Sequence, residues 1–241
     1  MARRENGFTI IETTLVLAIT GLIVAVILVG IGNSLNHQRY MDATNQAVDF
    51  FRGQYTGTSN ALNDRPDNET CGSSGIATVA EKQTIGASEC LLLGKIARSS
   101  DGKTITTYQV IATHDLAADP ATTQLSDTDL LVAANLQQGS KEIDTYSPEW
   151  DTQLLRPGTT DGARFTMMVV RTPVTGTIRT YVADSDTATI ASLLATPQTD
   201  LRVCIDQNGF FGIGAQPMGI VVAKDATNTT GVQVISAGDC V

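Results

Sequence analysis

The 241-residue chain has few of the residues that build common catalytic and metal sites. It has two histidines and four cysteines, and no two cysteines form a CxxC pair. Because zinc sites require closely spaced cysteine and histidine ligands, this spacing argues against a zinc site. Neither GxSxG nor HExxH occurs, and the glycine-rich GFFGIG of residues 209–214 is not the phosphate-binding GxGxxG. We therefore expect neither an enzyme nor a bound cofactor.

Positive charge is also scarce. The chain has 16 Lys and Arg against 25 Asp and Glu, and its formal net charge is -9. Because an acidic surface repels phosphate backbones, we expect no direct nucleic-acid partner. The hydrophobic content of 42% is sufficient for a packed core, which argues against wholesale disorder.

Charge is absent altogether between Thr13 and Gly32. A helix of that length spans a bilayer core of about 30 Å. A cleaved secretory signal has an apolar region of about 7–15 residues, which is shorter than this one. A plain transmembrane anchor would hold Arg3 and Arg4 in the cytoplasm, but it leaves Glu12 unexplained, because a carboxylate in a spanning helix is costly.

A third interpretation gives Glu12 a role. Cleavage between Gly7 and Phe8 would create an ammonium group on Phe8, and Glu12 lies one helical turn further along on the same face. The N-terminus of a helix also favours a carboxylate. The two charges can pair within one chain or between staggered neighbouring chains. In the second case only a correctly placed neighbour removes the penalty of a buried unpaired charge.

The segment Gly7-Phe8-Thr9-Ile10-Ile11-Glu12, with a basic leader before it and a long apolar run after it, resembles the class III signal of type IV pilins and pseudopilins. The resemblance extends to about Tyr55. It implies cleavage after Gly7 by a prepilin peptidase and methylation of the Phe8 amine. It also implies that Glu12 acts in filament assembly with other pilin subunits, at an inner-membrane assembly platform.

The chain departs from many pilins in having no proline in the outer half of this helix. It has Gly21, Gly30 and Gly32 instead. Each glycine costs about 0.5–1 kcal/mol relative to alanine, so Gly21 is a candidate starting point for local unwinding in a filament. The alternative is that the three glycines allow close packing between helices.

The remaining sequence predicts an α+β fold. The leader is residues 1–7, the helix is 8–56 with a transmembrane part at 8–32, and the extracytoplasmic head is 57–241. Residues such as Ala43, Ala47 and Phe51 recur at helical spacing and should pack on an antiparallel sheet. Strands are predicted at 104–113, 165–171, 178–183, 219–223 and 232–235, with a hairpin at Asn208-Gly209. Helices are predicted at 126–138, from Ser147 to Pro157 and at 187–194, and residues 57–103 are predicted to be rich in loops.

The four separated cysteines follow the apolar segment, which indicates two disulfides in an exported domain. Cys71 and Cys90 bracket part of the loop-rich region, whereas Cys204 and Cys240 lie near the C-terminus. The pilin resemblance implies a disulfide-bounded C-terminal region, which favours Cys71–Cys90 and Cys204–Cys240. The two other pairings remain open from sequence alone.

The expected function is that of a structural pilin subunit of a surface filament that serves adhesion, motility or DNA uptake. Before assembly the chain would lie in the cytoplasmic membrane among lipids, with its N-terminus in the cytoplasm. After assembly it would be part of an extracellular filament. One alternative is a pseudopilin of a type II secretion-like system. A second is a membrane-anchored binding module that does not polymerise.

Overall fold

The computed structural model describes residues 9–60, 63, 66–72, 75–82, 90–114, 116, 125–206 and 217–240. The helices in this part of the chain are α1 (Ile10–Ser59), α2 (Asp127–Ala133) and α3 (Ile190–Ala195). The strands are β1 (Glu69–Gly72), β2 (Gly75–Thr78), β3 (Leu91–Ser99), β4 (Ile105–Ala112), β5 (Leu136–Tyr146), β6 (Leu154–Leu155), β7 (Phe165–Arg171), β8 (Ile178–Ala183), β9 (Leu201–Ile205), β10 (Gly219–Val222) and β11 (Val232–Ile235).

The C-terminal half of α1 carries the head. Its buried side chains recur every third or fourth residue, which places them on one face of the helix. They are Tyr40, Ala43, Thr44, Ala47, Val48, Phe51, Gln54, Tyr55 and Thr58. The predicted amphipathic continuation of the helix is confirmed, and α1 ends at Ser59, three residues later than expected.

A five-stranded antiparallel sheet in the order β5-β4-β3-β7-β8 forms the centre of the head. Alternate residues of β7 point to opposite faces. Phe165, Met167 and Val169 belong to the hydrophobic cluster that includes the packed half of α1. Met168 and Val170 belong to a second cluster, which includes residues of α2 and α3. The sheet is therefore covered by α1 on one face and by the two short helices on the other.

A smaller antiparallel sheet, in the order β11-β10-β9-β6, shares the core with α1. Strand β10 lies between β9 and β11, and Gly219 pairs with Cys204. A Cβ atom on Gly219 would lie 2.6 Å from the Cys240 sulfur and 2.6 Å from the Val203 carbonyl oxygen. Only glycine fits at that point. With the hairpin β1-β2 as a third sheet, the head has the predicted α+β class.

Both disulfides join the expected pairs. Cys71 of β1 is bonded to Cys90, which directly precedes β3, and their Cα atoms are 5.1 Å apart. Cys204 of β9 is bonded to Cys240, with Cα atoms 5.7 Å apart. The first bond fixes the β1-β2 hairpin to the start of a central strand, and the second fixes the C-terminal segment to the smaller sheet.

Several local predictions were wrong. The helix predicted at 126–138 ends at Ala133, because Asn135 has a φ of 50° and redirects the chain into β5. Residues 147–157 contain a turn and the two-residue strand β6, with no helix. The region 57–103 contains the end of α1 and the strands β1, β2 and β3, so it is more regular than predicted.

Other predictions agree with the structure. Strands β4, β7, β8, β10 and β11 lie where alternation indicated them, and α3 begins at Ile190 behind the N-cap Thr189, slightly later than expected. The Asn208-Gly209 hairpin lies outside the described residues.

Candidate membrane and assembly interface

The N-terminal half of α1, residues 9–39, contributes no buried side chain among those described. Its large apolar residues are about half to four-fifths exposed, from Ile10 at 82% to Leu35 at 45%. At 1.5 Å per residue this half is about 45 Å long. It belongs to the one helix in the described residues that is long and apolar enough to cross a membrane. No described part of the chain covers this apolar surface, and exposed patches of this size mark contacts with a membrane or another protein.

Glu12 lies in the first turn of α1 and takes part in a capping box. The Thr9 hydroxyl oxygen accepts a hydrogen bond of 3.3 Å from the Glu12 backbone N–H. The Glu12 carboxylate accepts one of 3.4 Å from the Thr9 backbone N–H. Two donors that the helix leaves unpaired are thus satisfied. The carboxylate is held against the positive end of the helix dipole, which stabilises its charge.

Threonine hydroxyls within the apolar half are bonded to the helix itself. Thr13 donates to the Ile10 carbonyl at 2.9 Å, Thr14 donates to the Ile11 carbonyl at 3.0 Å, and Thr20 donates to the Val16 carbonyl at 2.8 Å. Each hydroxyl therefore has a partner without water. This suits a helix surrounded by lipid or by other helices, where an unpaired polar group is costly.

Gly21, Gly30 and Gly32 lie within the helix and face open space. A Cβ atom built on any of the three would meet nothing within 4 Å. No contact among the described residues therefore requires glycine at these positions. Both interpretations from the sequence, local unwinding and close packing against another helix, remain predictions. Gly7 and Phe8, the predicted cleavage and methylation positions, lie outside the described residues.

The helix enters the head at Tyr40, which is 2% exposed. Its hydroxyl donates to the Ile205 carbonyl at 3.2 Å and accepts from the Met218 backbone N–H at 2.7 Å. Burial raises the pKa of Tyr40, so its phenol stays neutral and continues to donate. These two bonds connect the first buried turn of α1 to both ends of the segment between β9 and β10.

Directly beside Tyr40, the Arg39 guanidinium lies 4.8 Å from the ring centroid of Trp150. Trp150 is 45% exposed and lies in the turn between β5 and β6. Both Trp150 and Asp151 have a φ of 59°, a conformation that non-glycine residues seldom adopt. The turn is closed by Thr152, whose backbone N–H and hydroxyl both donate to the Glu149 carbonyl. The chain thus keeps an exposed aromatic ring at the point where α1 leaves the head.

The head itself offers little chemistry in its described part. An open polar cleft is lined by residues that include Asp101, Gln153, Arg156 and Arg164. No group of three or more metal-ligating side chains occurs in the described residues. Asp127 forms an ion pair of 2.7 Å with Arg179. Asp129 accepts a hydrogen bond from the N-cap Ser126.

Sequence reasoning missed two features of this interface. The capping box had a visible signal, because Thr9-Ile10-Ile11-Glu12 fits the pattern S/T-x-x-E that marks helix starts. The Arg39–Trp150 pair had none, because its two residues lie on separate elements far apart in the sequence. No protein-family model matches the chain, and neither the curated proteins nor the solved structures contain a match.

Proposed function

We propose that this chain is a pilin, the structural subunit of a type IV pilus-like surface filament. It would be cleaved after Gly7 and polymerise through the apolar half of α1. The observation that carries the proposal is the division of one helix into a packed half and a bare apolar half whose first turn contains Glu12. The bare half would lie in the membrane before assembly and against neighbouring helices afterwards.

The position of Glu12 supports a role in assembly. Its carboxylate lies in the first turn of α1 and bonds to the Thr9 backbone N–H, one residue from Phe8. Cleavage after Gly7 would place a new ammonium group beside this carboxylate. A neighbouring subunit that is shifted along the helix would present a second such ammonium. Because an unpaired charge in an apolar core is costly, correct stagger between subunits would be favoured.

The head supports an extracytoplasmic location. Every cysteine of the chain is in a disulfide, and such bonds persist in oxidising compartments. A head on the outer side of the membrane agrees with Arg3 and Arg4 on the inner side. The inferred partners are other pilin subunits, a prepilin peptidase, an assembly platform and membrane lipid. We infer no enzymatic activity.

N-terminal analysis of the surface-exposed form tests the proposal. Mass spectrometry should find a chain that begins at Phe8 with a methylated amine, and Gly7→Glu should leave the leader attached. A mature start at Met1 or near Ser34 would contradict the proposal. Electron microscopy of shed filaments, with this chain identified by peptide mapping, separates the candidates further. A processed chain confined to the cell envelope would favour a pseudopilin, and an unprocessed chain would favour a membrane-anchored binding module.

A further inference from the structure

We infer that Trp150 and Arg39 form a contact site for the headgroup layer of zwitterionic phospholipids. This contact would set the height and tilt of the head above the membrane before assembly. The inference deepens the proposed function and rests on its membrane-inserted state.

Arg39 and Trp150 lie just beyond the apolar segment of α1. Arg39 lies four residues beyond Leu35, the last large apolar side chain of the bare half, or about 6 Å along the axis. The headgroup layer adds about 5–7 Å on each side of the hydrocarbon core. Helical side chains also tilt toward the N-terminus, so the Arg39 guanidinium is directed back toward the apolar segment. Trp150 shares this level because it lies against that guanidinium.

Both side chains are of types that suit a membrane surface. Tryptophan is enriched at membrane surfaces because its ring is apolar and its N–H is polar. Arginine extends its apolar stem along a surface and keeps its charge among polar groups, where it can bind phosphate. With Arg39 against the ring and Trp150 still 45% exposed, the ring is free on part of its surface to contact lipid.

The backbone at Trp150 has an unusual conformation. Trp150 and the following Asp151 both have positive φ, and neither is glycine. Strain of this kind persists where surrounding structure holds it, and it often marks a functional position. Here the Thr152 bonds to the Glu149 carbonyl close the turn, and Thr152 itself is 4% exposed. The head therefore fixes the backbone of the turn that carries the ring.

The neighbouring charges define the lipid class. Trp150 has Glu149 before it and Asp151 after it in the sequence. Lys103 and Asp206 line a pocket together with Asp151, so three carboxylates face two cations around this turn, and a strongly anionic surface would repel it. A zwitterionic headgroup has a phosphate for Arg39 without a net negative charge. Phosphatidylcholine or phosphatidylethanolamine fits this arrangement better than phosphatidylglycerol.

The chain is suited to a direct test because Trp150 is its one tryptophan. The full-length protein would be reconstituted into phosphatidylcholine vesicles that contain lipid brominated near the headgroup or deep in the acyl chain. Trp150 emission should be quenched more by the shallow bromine than by the deep one, and lipid should protect it from aqueous acrylamide. Because exposed cation–π contacts are worth about 0.5–1 kcal/mol, Arg39→Gln should lower shallow quenching about two- to fivefold. Replacing half of the lipid with phosphatidylglycerol should not increase the quenching.

A matched control moves the tryptophan to the far end of the head. Val174 is 46% exposed, close to the 45% of Trp150. It lies in the β7–β8 turn beyond the C-terminal end of α1, because Phe51 contacts Phe165 and Thr58 bonds to the Val169 carbonyl. The double variant Trp150→Phe/Val174→Trp should be quenched by acrylamide and by neither brominated lipid.

The outcomes separate this inference from the proposed function. If the protein does not float with the vesicles, the membrane-inserted state fails and the inference fails with it. If the protein floats but neither brominated lipid quenches Trp150, the headgroup contact alone is overturned. Equal shallow quenching in the unaltered protein and the Val174→Trp control would also overturn it, because the whole head would then lie on the lipid. Stronger quenching with phosphatidylglycerol would contradict the assignment to zwitterionic lipid.

Discussion

Residues 40–59 of α1 bury nine side chains against the head, whereas residues 9–39 bury none among those described. The two halves form one uninterrupted helix, so the difference lies in the side chains. In the packed half, apolar residues form one stripe and polar residues lie between them. In the bare half, apolar residues occupy all sides. A helix that is apolar all round belongs inside a large core or a membrane, whereas a striped helix belongs on the surface of a domain.

The two halves of α1 also differ in the interactions that stabilise them. The packed half is held by burial, by hydrogen bonds such as that from Tyr55 to Thr180, and by its position on two sheets. The bare half has internal helix bonds and a capping box, and its last residue, Arg39, contacts Trp150 of the head. Substitutions in the packed half should therefore change the unfolding of the head, and substitutions in the bare half should change insertion or assembly.

The largest expected effect is at Glu12. Expressed as the sole copy, Glu12→Ala should abolish filaments or reduce their number severely, because truncating one member of a buried charge pair costs about 3–5 kcal/mol at each subunit contact. Cleavage, membrane level and head stability should remain normal. Immunoblotting and counts by electron microscopy measure these quantities.

Asp49 provides a matched control for Glu12, because it is an exposed carboxylate on the packed half of the same helix. Asp49→Ala should leave filament number unchanged. Normal filament numbers in Glu12→Ala would show that the carboxylate is dispensable, and the stagger mechanism would have to be abandoned.

The next effect concerns the disulfides, which occur in the head alone. Replacing Cys204 and Cys240 with serine should lower the free energy of unfolding by about 4 kcal/mol, because the bond closes a separation of 36 residues. The same change at Cys71 and Cys90, separated by 19, should cost about 3 kcal/mol. Urea unfolding of the full chain in detergent measures both losses. Vesicle flotation should be unaffected, and loss of flotation in either variant would show that the two halves are coupled.

A pair of valines compares the halves directly. Val48 is 3% exposed and Val24 is 53% exposed, so one change can be made in both environments. Val48→Ala should destabilise the head by about 2 kcal/mol through lost burial and a small cavity. Val24→Ala should change head unfolding by less than about 0.5 kcal/mol. Equal losses in the two variants would mean that the bare half folds back onto the head in solution.

The sequence predicted those helices and strands whose hydrophobic pattern results from burying one face. The stripe of α1 and the alternation in β4, β7 and β8 are direct results of one face meeting the core. Strand β3 was missed because Gly94, Lys95 and Arg98 interrupt its apolar pattern. A Cβ on Gly94 would lie 2.1 Å from the Val169 carbonyl oxygen, and Arg98 bonds to Gln138, Thr166 and the Asp186 carbonyl. These partners come from distant parts of the chain, which local pattern does not report.

Strand β5 was missed for a different reason. It lies at the edge of the five-stranded sheet, and Gly139 is the one fully buried residue among its eleven, the others being half-buried or exposed. Its polar composition carries no alternation, and the helix before it lacks a glycine stop, since Asn135 provides the positive φ. At the interface, Glu12 was identified from its spacing to Phe8. The Arg39–Trp150 contact depends on how the β5–β6 turn folds against α1, and that turn was predicted as a helix.

The smallest expected effect is a change of stability with pH. Residues 9–39 contain no tyrosine, so only the packed half of α1 and the head should respond through tyrosine ionisation. Tyr146 stacks on Phe50 with ring centroids 4.8 Å apart, and its buried hydroxyl has no partner among the described residues. Burial, with a smaller contribution from Glu149, raises the pKa of Tyr146 from 10.0 to about 12. Because the folded pKa exceeds the unfolded one, the contribution to stability is complete below pH 10 and is lost as pH rises from 10 to about 12. Partial exposure of the side chain limits this loss to the order of 1 kcal/mol.

Tyr146→Phe keeps the stacking and removes the ionisable group, so it should be as stable as the unaltered chain at pH 8 and lose less stability by pH 11.5. Urea unfolding at the two pH values measures the difference, and identical alkaline losses in both proteins would exclude Tyr146 as the responsible group.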